Sequence, residues 1–329
     1  MAQRRKRSLE TGKEGIMGLP VILLRIFLLL AITMVPISDA WGKEGHFMVC
    51  KIAENYFSDR TSTAVSELLP ADAGGDLASV CSWADEVRFR YRWSSPLHYI
   101  NTPGVCNYKY SRDCHNAKGE KDMCVVGAIN NYTTQLQSYG GDSSGYDLSE
   151  SLLFLAHFVG DVHQPLHVGF QVDEGGNTII VHWYRRKTNL HHVWDVNMIE
   201  TAMKDFYNND LNSMIEAIQM NITETWAGEI HQWETCRGRS VTCADKFASE
   251  SIQLACDYAY QDVEEDSTLE DDYFYSRLPV LEKRIAQAGV RLATILNRIF
   301  YDSSASGNLN DLLLKSVVEI IEANTISAK

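Results

Sequence analysis

The helix that Leu152-Leu-Phe-Leu-Ala-His-Phe-Val-Gly-Asp161 would form is apolar on nearly every side, yet it carries an imidazole and a carboxylate one turn apart. Spacing of i and i+4 puts His157 and Asp161 on one helical face. A helix apolar all round belongs in a core. A carboxylate there must be strongly compensated, so any fold of this chain has to bring partners to Asp161. His191 and Asp195 repeat the spacing, and six of the ten histidines fall between residues 157 and 192. Pro165 ends the first helix and His167 follows at once, bringing a third imidazole to the same end. Imidazole and carboxylate oxygen without thiolate is a ligand set suited to catalytic zinc with a position left open for water. For any single histidine a hydrogen-bonding role in the core is the simpler reading. Two spaced pairs together with His167 favour a metal.

Most of the remaining chain also reads as helix, so the expected class is all-α, a mainly helical single domain with a small β-hairpin. Residues 278–300 place Leu281, Ile285, Ala288, Leu292, Ile295, Leu296 and Ile299 at three-to-four spacing, and 124–138 does the same with Val125, Ile129, Tyr132 and Leu136. The one convincing strand is Thr178 to Tyr184, β-branched and aromatic, after the Gly175-Gly176 turn. From Trp41 onward there is no repeat, low-complexity tract or linker before residue 302, which predicts one domain over 41–301. Asp302-Ser-Ser-Ala-Ser-Gly-Asn308 reads as a loop, with a helix-like stretch from Leu312 to Ile321, so 302–329 is expected to be a C-terminal tail, either packed on the domain or trimmed as a propeptide. Seven acids between 262 and 272 read as a solvated loop or helix face, not a calcium site.

Residues 1–40 are set apart from the fold. Arg4, Arg5, Lys6 and Arg7 precede an apolar run from Leu19 to Val35 that ends at Ser38-Asp39-Ala40, a secretory signal with a small-x-Ala cleavage site. Met17 begins a more compact signal, leaving residues 1–16 as an upstream extension or a misassigned start. A membrane anchor is the competing reading; Arg25 inside the run and Pro36 just after it oppose that, and no membrane span is expected once the signal is removed. Cys50, Cys81, Cys106, Cys114, Cys124, Cys236, Cys243 and Cys256 all follow the cleavage point, an even number that predicts four disulfides among about 105 possible connectivities. Asn131-Tyr-Thr and Asn221-Ile-Thr are glycosylation acceptors that only the secretory route would use. Extracellular space, cell wall and vacuole are equally compatible destinations. A net charge of −13 argues against a broad basic surface for duplex phosphates. A polyanionic substrate would need a local positive centre, which bound metal supplies.

Other segments add donors. Trp83-Ala-Asp85 lies in a helical stretch with Leu77, Val80 and Cys81, and Leu97-His98-Tyr99-Ile100-Asn101 follows in a turn after Pro96. Signal cleavage would make Trp41 the first residue, with a free amine, and His46 five positions on. Trp41-Gly…His46, Trp83-Ala-Asp85, His98-Tyr-Ile, His157-Phe-Val-Gly-Asp161-x-His-Gln-Pro-Leu-His167, Gly175-Gly-Asn177 and Asn189-Leu-His191-x-x-Trp-Asp195 resemble the single-strand-specific zinc nucleases of fungi and plants, the plant bifunctional and mung-bean type. The likeness runs in order through the mature chain.

The resemblance implies a helical fold shared with bacterial zinc phospholipase C and three zinc ions held by nine residues, all present here. Carried over, the first zinc takes Asp85, His98, His157 and Asp161; the second takes His167, His191 and Asp195; the third takes Trp41 through its amine and carbonyl, His46 and a shared Asp161. His192 reads as a surface or supporting residue because only His191 stands i,i+4 from Asp195. His163 points elsewhere on its turn, and His115, His182 and His231 match no ligand position. The implied chemistry is in-line attack of metal-activated water on phosphorus, without a side-chain nucleophile.

Arg88, three residues after Asp85, would brace phosphoryl oxygens, so Asp85, Arg88 and Asp161 form the expected catalytic set. Tyr99 stands where relatives stack an unpaired base. Asn101 stands where many relatives carry Asp, which leaves base preference open, and Asn177 is expected near the substrate phosphate or hydroxyls. Expected substrates are single-stranded DNA and RNA, cut to 5′-phosphates, and 3′-nucleotides. No stable protein partner is implied, and a monomer is expected. Two rivals stand beside this reading: a zinc phospholipase C-type phosphodiesterase, opposed by Tyr99-Ile-Asn101 and Gln164-Pro-Leu-His167, and a non-catalytic secreted zinc-binding protein, opposed by three-ligand sites that leave room for water.

Overall fold

The computed structural model describes residues 41–141, 145–236 and 241–326, with the backbone alone beyond Tyr301. The signal reading of 1–40 lies outside the described residues. The architecture is mainly helical: α1 (Lys43–Glu54), α2 (Asp59–Leu68), α3 (Trp83–Val87), α4 (Val125–Leu136), α5 (Leu148–Asp161), α6 (Leu190–His192), α7 (Met198–Phe206), α8 (Leu211–Thr223), α9 (Ala244–Leu254) and α10 (Asp271–Ile326). No helix among the described residues is long and apolar enough to cross a membrane.

The apolar stripes predict the packing. The α10 residues Leu281, Ile285, Ala288, Leu292, Ile295, Leu296 and Ile299 are buried, and this helix packs along α1. α4 packs on α5, where Tyr132 stacks on Phe154 at 4.9 Å between ring centroids. The side chain of Asp147 caps α5 by accepting from the Glu150 N–H at 3.0 Å. From Ser151 to Asp161 every residue of α5 is buried, as its all-round apolar sequence requires.

The hairpin is present: β3 (Ile180–Trp183) pairs antiparallel with β4 (Arg186–Asn189), and Ile180 faces Asn189. It is not the only strand structure. β5 (Thr268–Leu269) joins β3 in parallel, and β1 (Ile100–Thr102) pairs in parallel with β2 (Val168–Phe170). These are two- and three-residue pieces, too short to show an alternation in sequence. The seven-acid stretch is a loop that runs through β5 into the start of α10. The loop expected at Asp302–Asn308 is instead helix, because α10 continues unbroken from Asp271 to Ile326. Serine, asparagine and one glycine cost at most about 1 kcal/mol each inside a helix, and no proline follows Pro279 to force an end.

Four disulfides join Cys50 to Cys81, Cys106 to Cys256, Cys114 to Cys124 and Cys236 to Cys243. The first ties α1 to the turn before α3, and the second ties the loop after β1 to the chain following α9. Both anchor segments that carry expected ligands.

A buried ion network fixes the far end of α5. Arg284 donates to the His163 carbonyl at 3.0 Å and to Ser251 Oγ at 2.6 Å, while Arg291 donates to both Glu250 carboxylate oxygens at 2.6 and 2.9 Å. Both guanidinium groups are essentially inaccessible. Burial would raise the Glu250 carboxyl, but Arg291 and Arg284 hold it below its ordinary 4.5. The stabilisation is therefore present above that value and lost as pH falls through the lower folded value. Glu250→Gln leaves two buried cations short of charge and is expected to cost about 3 kcal/mol at neutral pH, with the difference from wild type shrinking in acid. Denaturant unfolding of both proteins at two pH values measures it; equal stabilities at neutral pH would contradict the assignment.

Candidate metal centre

Helix α5 delivers His157 and Asp161 to the centre of the fold, and other segments close around them. His157 Nε2 lies 3.3 Å from Asp161 Oδ2 and 3.5 Å from Asp85 Oδ2, the latter carried by α3. His98 ends a 3-10 turn that leads into β1, and its Nδ1 sits 3.0 Å from Asp161 Oδ2 and 3.5 Å from Asp85 Oδ1. His46, on α1, stacks on the His157 ring at 3.8 Å and brings Nε2 to 3.2 Å from the other Asp161 oxygen. Gly160 permits that approach, since a Cβ there would stand 2.8 Å from His46 Nδ1.

A second group lies alongside. His191 Nε2 is 3.2 Å from Asp195 Oδ2 and 3.1 Å from His167 Nε2. The His191 and Asp195 pair meets one turn apart as the spacing predicts, but the turn between them is partly a π-helix, Val193–Asn197, so the helix is locally wider than expected. The two groups are joined through His98, whose carbonyl accepts from His167 Nδ1–H at 2.7 Å.

Backbone carbonyls orient the rings. His157 Nδ1–H donates to Cys81 O at 2.9 Å and His191 Nδ1–H to Gly175 O at 2.7 Å. A carbonyl can only accept, so each Nδ1 carries a proton and each Nε2 is turned to the interior, the arrangement that orients metal-ligating imidazoles. Gly175 reaches that position with φ of +65°. Burial, with neighbouring imidazoles next, lowers His46, His98 and His167 well below their ordinary value, so these rings are neutral. Burial pushes the Asp161 carboxyl up to about 7 despite the imidazole of His157 beside it.

The donor atoms fit a divalent cation. His46 Nδ1 and Nε2, Asp85 Oδ1, His98 Nε2 and Asp161 Oδ1 are buried without a hydrogen-bond partner. Five orphaned polar atoms on four clustered residues would be a large penalty without compensation. Three groups have donor atoms close enough to share an ion: His46, Asp85 and His157; His98, His157 and Asp161; His167, His191 and Asp195. His157 belongs to two of them, so the first two form one continuous donor set.

Trp41 is buried at the edge of this set. Its indole donates to Gly160 O at 2.9 Å, and the next amide, Gly42 N–H, donates to Asp195 O at 2.9 Å. Arg88 caps α3 with a guanidinium nitrogen 3.7 Å from Asp85 Oδ1. Tyr99 adjoins His98 and is 40% exposed, Asn101 pairs with Gly169 in the β1–β2 ladder, and Asn177 is held by a bond from its side-chain amide to Glu174 O at 2.9 Å. Asn131 is exposed on α4 and Asn221 lies near the end of α8.

The other histidines stay apart. His163 donates to Val159 O and faces Arg291, and His192 is partly exposed behind the Asn189 cap. His115 is exposed where it bridges to Lys121, His231 is exposed on the short helix Ile230–Glu234, and His182 lies on β3.

The fold and this centre define a helical protein built around buried imidazole and carboxylate donors of the metal-binding kind. Residues 41–301 match the family model for S1/P1 nuclease. Endonuclease 2 of Arabidopsis thaliana is 56% identical over 86% of this chain and 98% of its own length, and Endonuclease 4 of the same plant is 58% identical over 79% and 89%. Nuclease S1 of Aspergillus oryzae is 30% identical over 82% of this chain and 94% of its own. The chain belongs to the S1/P1 nuclease family and is a nuclease.

Gln164 was missed as a site residue. It is fully buried, and its side-chain amide donates to Asp195 Oδ1 at 2.6 Å. Its place between Asp161 and His167 was the available signal, but nothing local says which way an amide will turn. Gln164→Leu keeps the bulk and removes that bond, and is expected to weaken divalent-metal retention about 10- to 100-fold. Metal remaining after titration with a chelator measures this; wild-type retention would rule out the supporting role.

Proposed function

We propose that this nuclease is a secreted, zinc-dependent endonuclease that hydrolyses single-stranded DNA and RNA to 5′-phosphate products and removes the 3′-phosphate of nucleotides. The observation that carries the reading is the gathering of orphaned, buried ligand atoms around Asp161, on a chain whose relatives are named nucleases.

Three zinc ions would be held by nine residues: Asp85, His98, His157 and Asp161; His167, His191 and Asp195; and Trp41, His46 and the shared Asp161. When bound, zinc lowers the pKa of water towards neutrality and offsets the negative charge that develops on phosphate. The chain's own groups do the rest. Arg88, 3.7 Å from Asp85, directs its guanidinium to the same phosphoryl oxygens. Tyr99 offers an exposed ring on which an unpaired base stacks, and a base held in a duplex cannot reach it. Asn101 and Asn177 take base-edge and phosphate or hydroxyl contacts.

Trp41 couples export to assembly. Cleavage after Ala40 frees the amine that completes the third site, and the four disulfides suit the oxidising route. Glycans on Asn131 and Asn221 and a monomeric mature enzyme complete the proposal.

Hydrolysis of single-stranded DNA, duplex DNA, RNA, a 3′-nucleotide and a phosphatidylcholine emulsion, with zinc counted on the same sample, tests it. About three zinc per chain and single-strand preference are expected, with Asp161→Asn losing zinc and about a thousandfold or more in rate. Lipid turnover with inert nucleic acid would replace the reading with a phospholipase C; bound zinc with no turnover would replace it with a binding protein. A precursor blocked at Ala40 is expected to hold about two zinc and to be nearly inactive, and a fully active precursor would refute the role of the Trp41 amine.

A further inference from the structure

The stretch Arg88-Phe-Arg-Tyr-Arg-Trp93 alternates arginine with aromatic residues in a chain of net charge −13. Its first residue is Arg88 at the metal centre, and Trp93 shares a 3-10 turn with His98. Both ends of the stretch are thus tied to donors of the centre. Phe89 is 73% exposed and Trp93 49%, and Arg90 and Arg92 are also exposed.

The side chains divide their tasks. Tyr91 turns inward, stacking on Trp93 at 5.7 Å and donating to Glu150 at 3.4 Å. Trp93 in turn rests against Phe154 of α5 at 5.7 Å, which fixes one side of the indole and leaves about half of it to solvent. The Arg90 guanidinium lies over Phe89, 5.8 Å from the ring centroid. Among the described residues neither Arg90 nor Arg92 is in an ion pair, and the nearest acids in sequence are Asp85, on the metal centre, and Glu86, which accepts from Ser82. Exposed aromatic rings flanking unpaired guanidinium groups are poor surface for folding and good surface for bases and phosphates.

We propose that Phe89, Arg90, Arg92 and Trp93 form a rim track that binds the single-stranded polynucleotide flanking the scissile phosphate. The proposal rests on the nuclease reading above and names where the rest of the strand lies. Bases stack on Phe89 and Trp93, and Arg90 and Arg92 meet the phosphates between them. Chain length alone keeps Arg92 within about 14 Å of Arg88, room for about four stacked nucleotides at roughly 3.4 Å each. Such a track serves polymers and leaves mononucleotides untouched.

The test compares a 20-nucleotide single strand with a 3′-nucleotide, using the mature, zinc-loaded protein. Arg90→Gln with Arg92→Gln is expected to raise KM for the 20-mer about tenfold with kcat unchanged and to flatten the salt dependence of log kcat/KM by about 1.4, two phosphate contacts at about 0.7 each. Phe89→Ser, at a position the core does not use, is expected to raise the same KM at least about fivefold. Hydrolysis of the 3′-nucleotide stays at the wild-type rate in both variants. Unchanged KM and salt slope for the 20-mer would overturn the track, as would equal losses on both substrates, which would make the segment structural. A wild-type protein that cuts neither substrate would instead overturn the nuclease reading, so the two failures are distinguishable.

Discussion

Asp161 and Asp195 have no accessible surface, and the rest of the structure follows from what it takes to keep two carboxylates in that position. Neither can be left alone in an apolar helix bundle. Imidazoles from five separate segments converge on them, and three of the rings are held by backbone carbonyls, which are less mobile than side chains. Cys81, His98 and Gly175 present carbonyls to Nδ1–H groups, while Gly160 leaves out the Cβ that would push His46 away. The compensation continues outward. Arg284 and Arg291 grip His163, two residues past Asp161, and need Glu250 to offset their own charge. A centre of this kind is preorganised to the extent that its members are fixed by backbone groups with little freedom to leave.

The parts of this fold legible in sequence are those in which one local rule decides. The burial of α5 follows from its composition, and the meeting of His157 with Asp161 follows from helical spacing. The hairpin at Ile180–Asn189 follows from β-branched residues after paired glycines. What escaped notice depends on distant segments. β1 and β2 pair in parallel across 68 positions of sequence, Ile100 against Val168, and three-residue strands carry no pattern of their own. The π turn before Asn197 widens a helix that spacing alone describes as regular. The disulfide pairing joins residues as far apart as Cys106 and Cys256, which sequence offers only as one combination among many. Gln164 and His163 illustrate the same limit at close range. Both lie between ligands, one supports Asp195 and the other faces an arginine, and only the packing of α9 and α10 decides which does which.

Trp41 and Gly42 link the backbones of the two segments that carry these carboxylates. The indole is bonded to the residue before Asp161, and the following amide is bonded to Asp195 itself. The start of the described chain is therefore part of the centre's frame whether or not its amine is a ligand. This explains why Gly45 sits where a Cβ would meet Trp41 at 2.8 Å: the first turn of α1 is packed against the indole closely enough to fix it.

Net charge and function pull in opposite directions in a nuclease of −13. An acidic surface repels a polyanion over about 8 to 10 Å at physiological salt, so a strand gains little by touching most of this protein. Attraction is confined to places where cations outnumber acids locally. Arg88, Arg90 and Arg92 stand within five residues at the edge of the metal centre, whereas the acidic run from Asp262 to Asp272 occupies a different loop. On the proposed function, the general acidity sharpens selection, because weak contacts elsewhere on the surface are disfavoured and a strand would be held only where its phosphates can also reach the buried donors around Asp161.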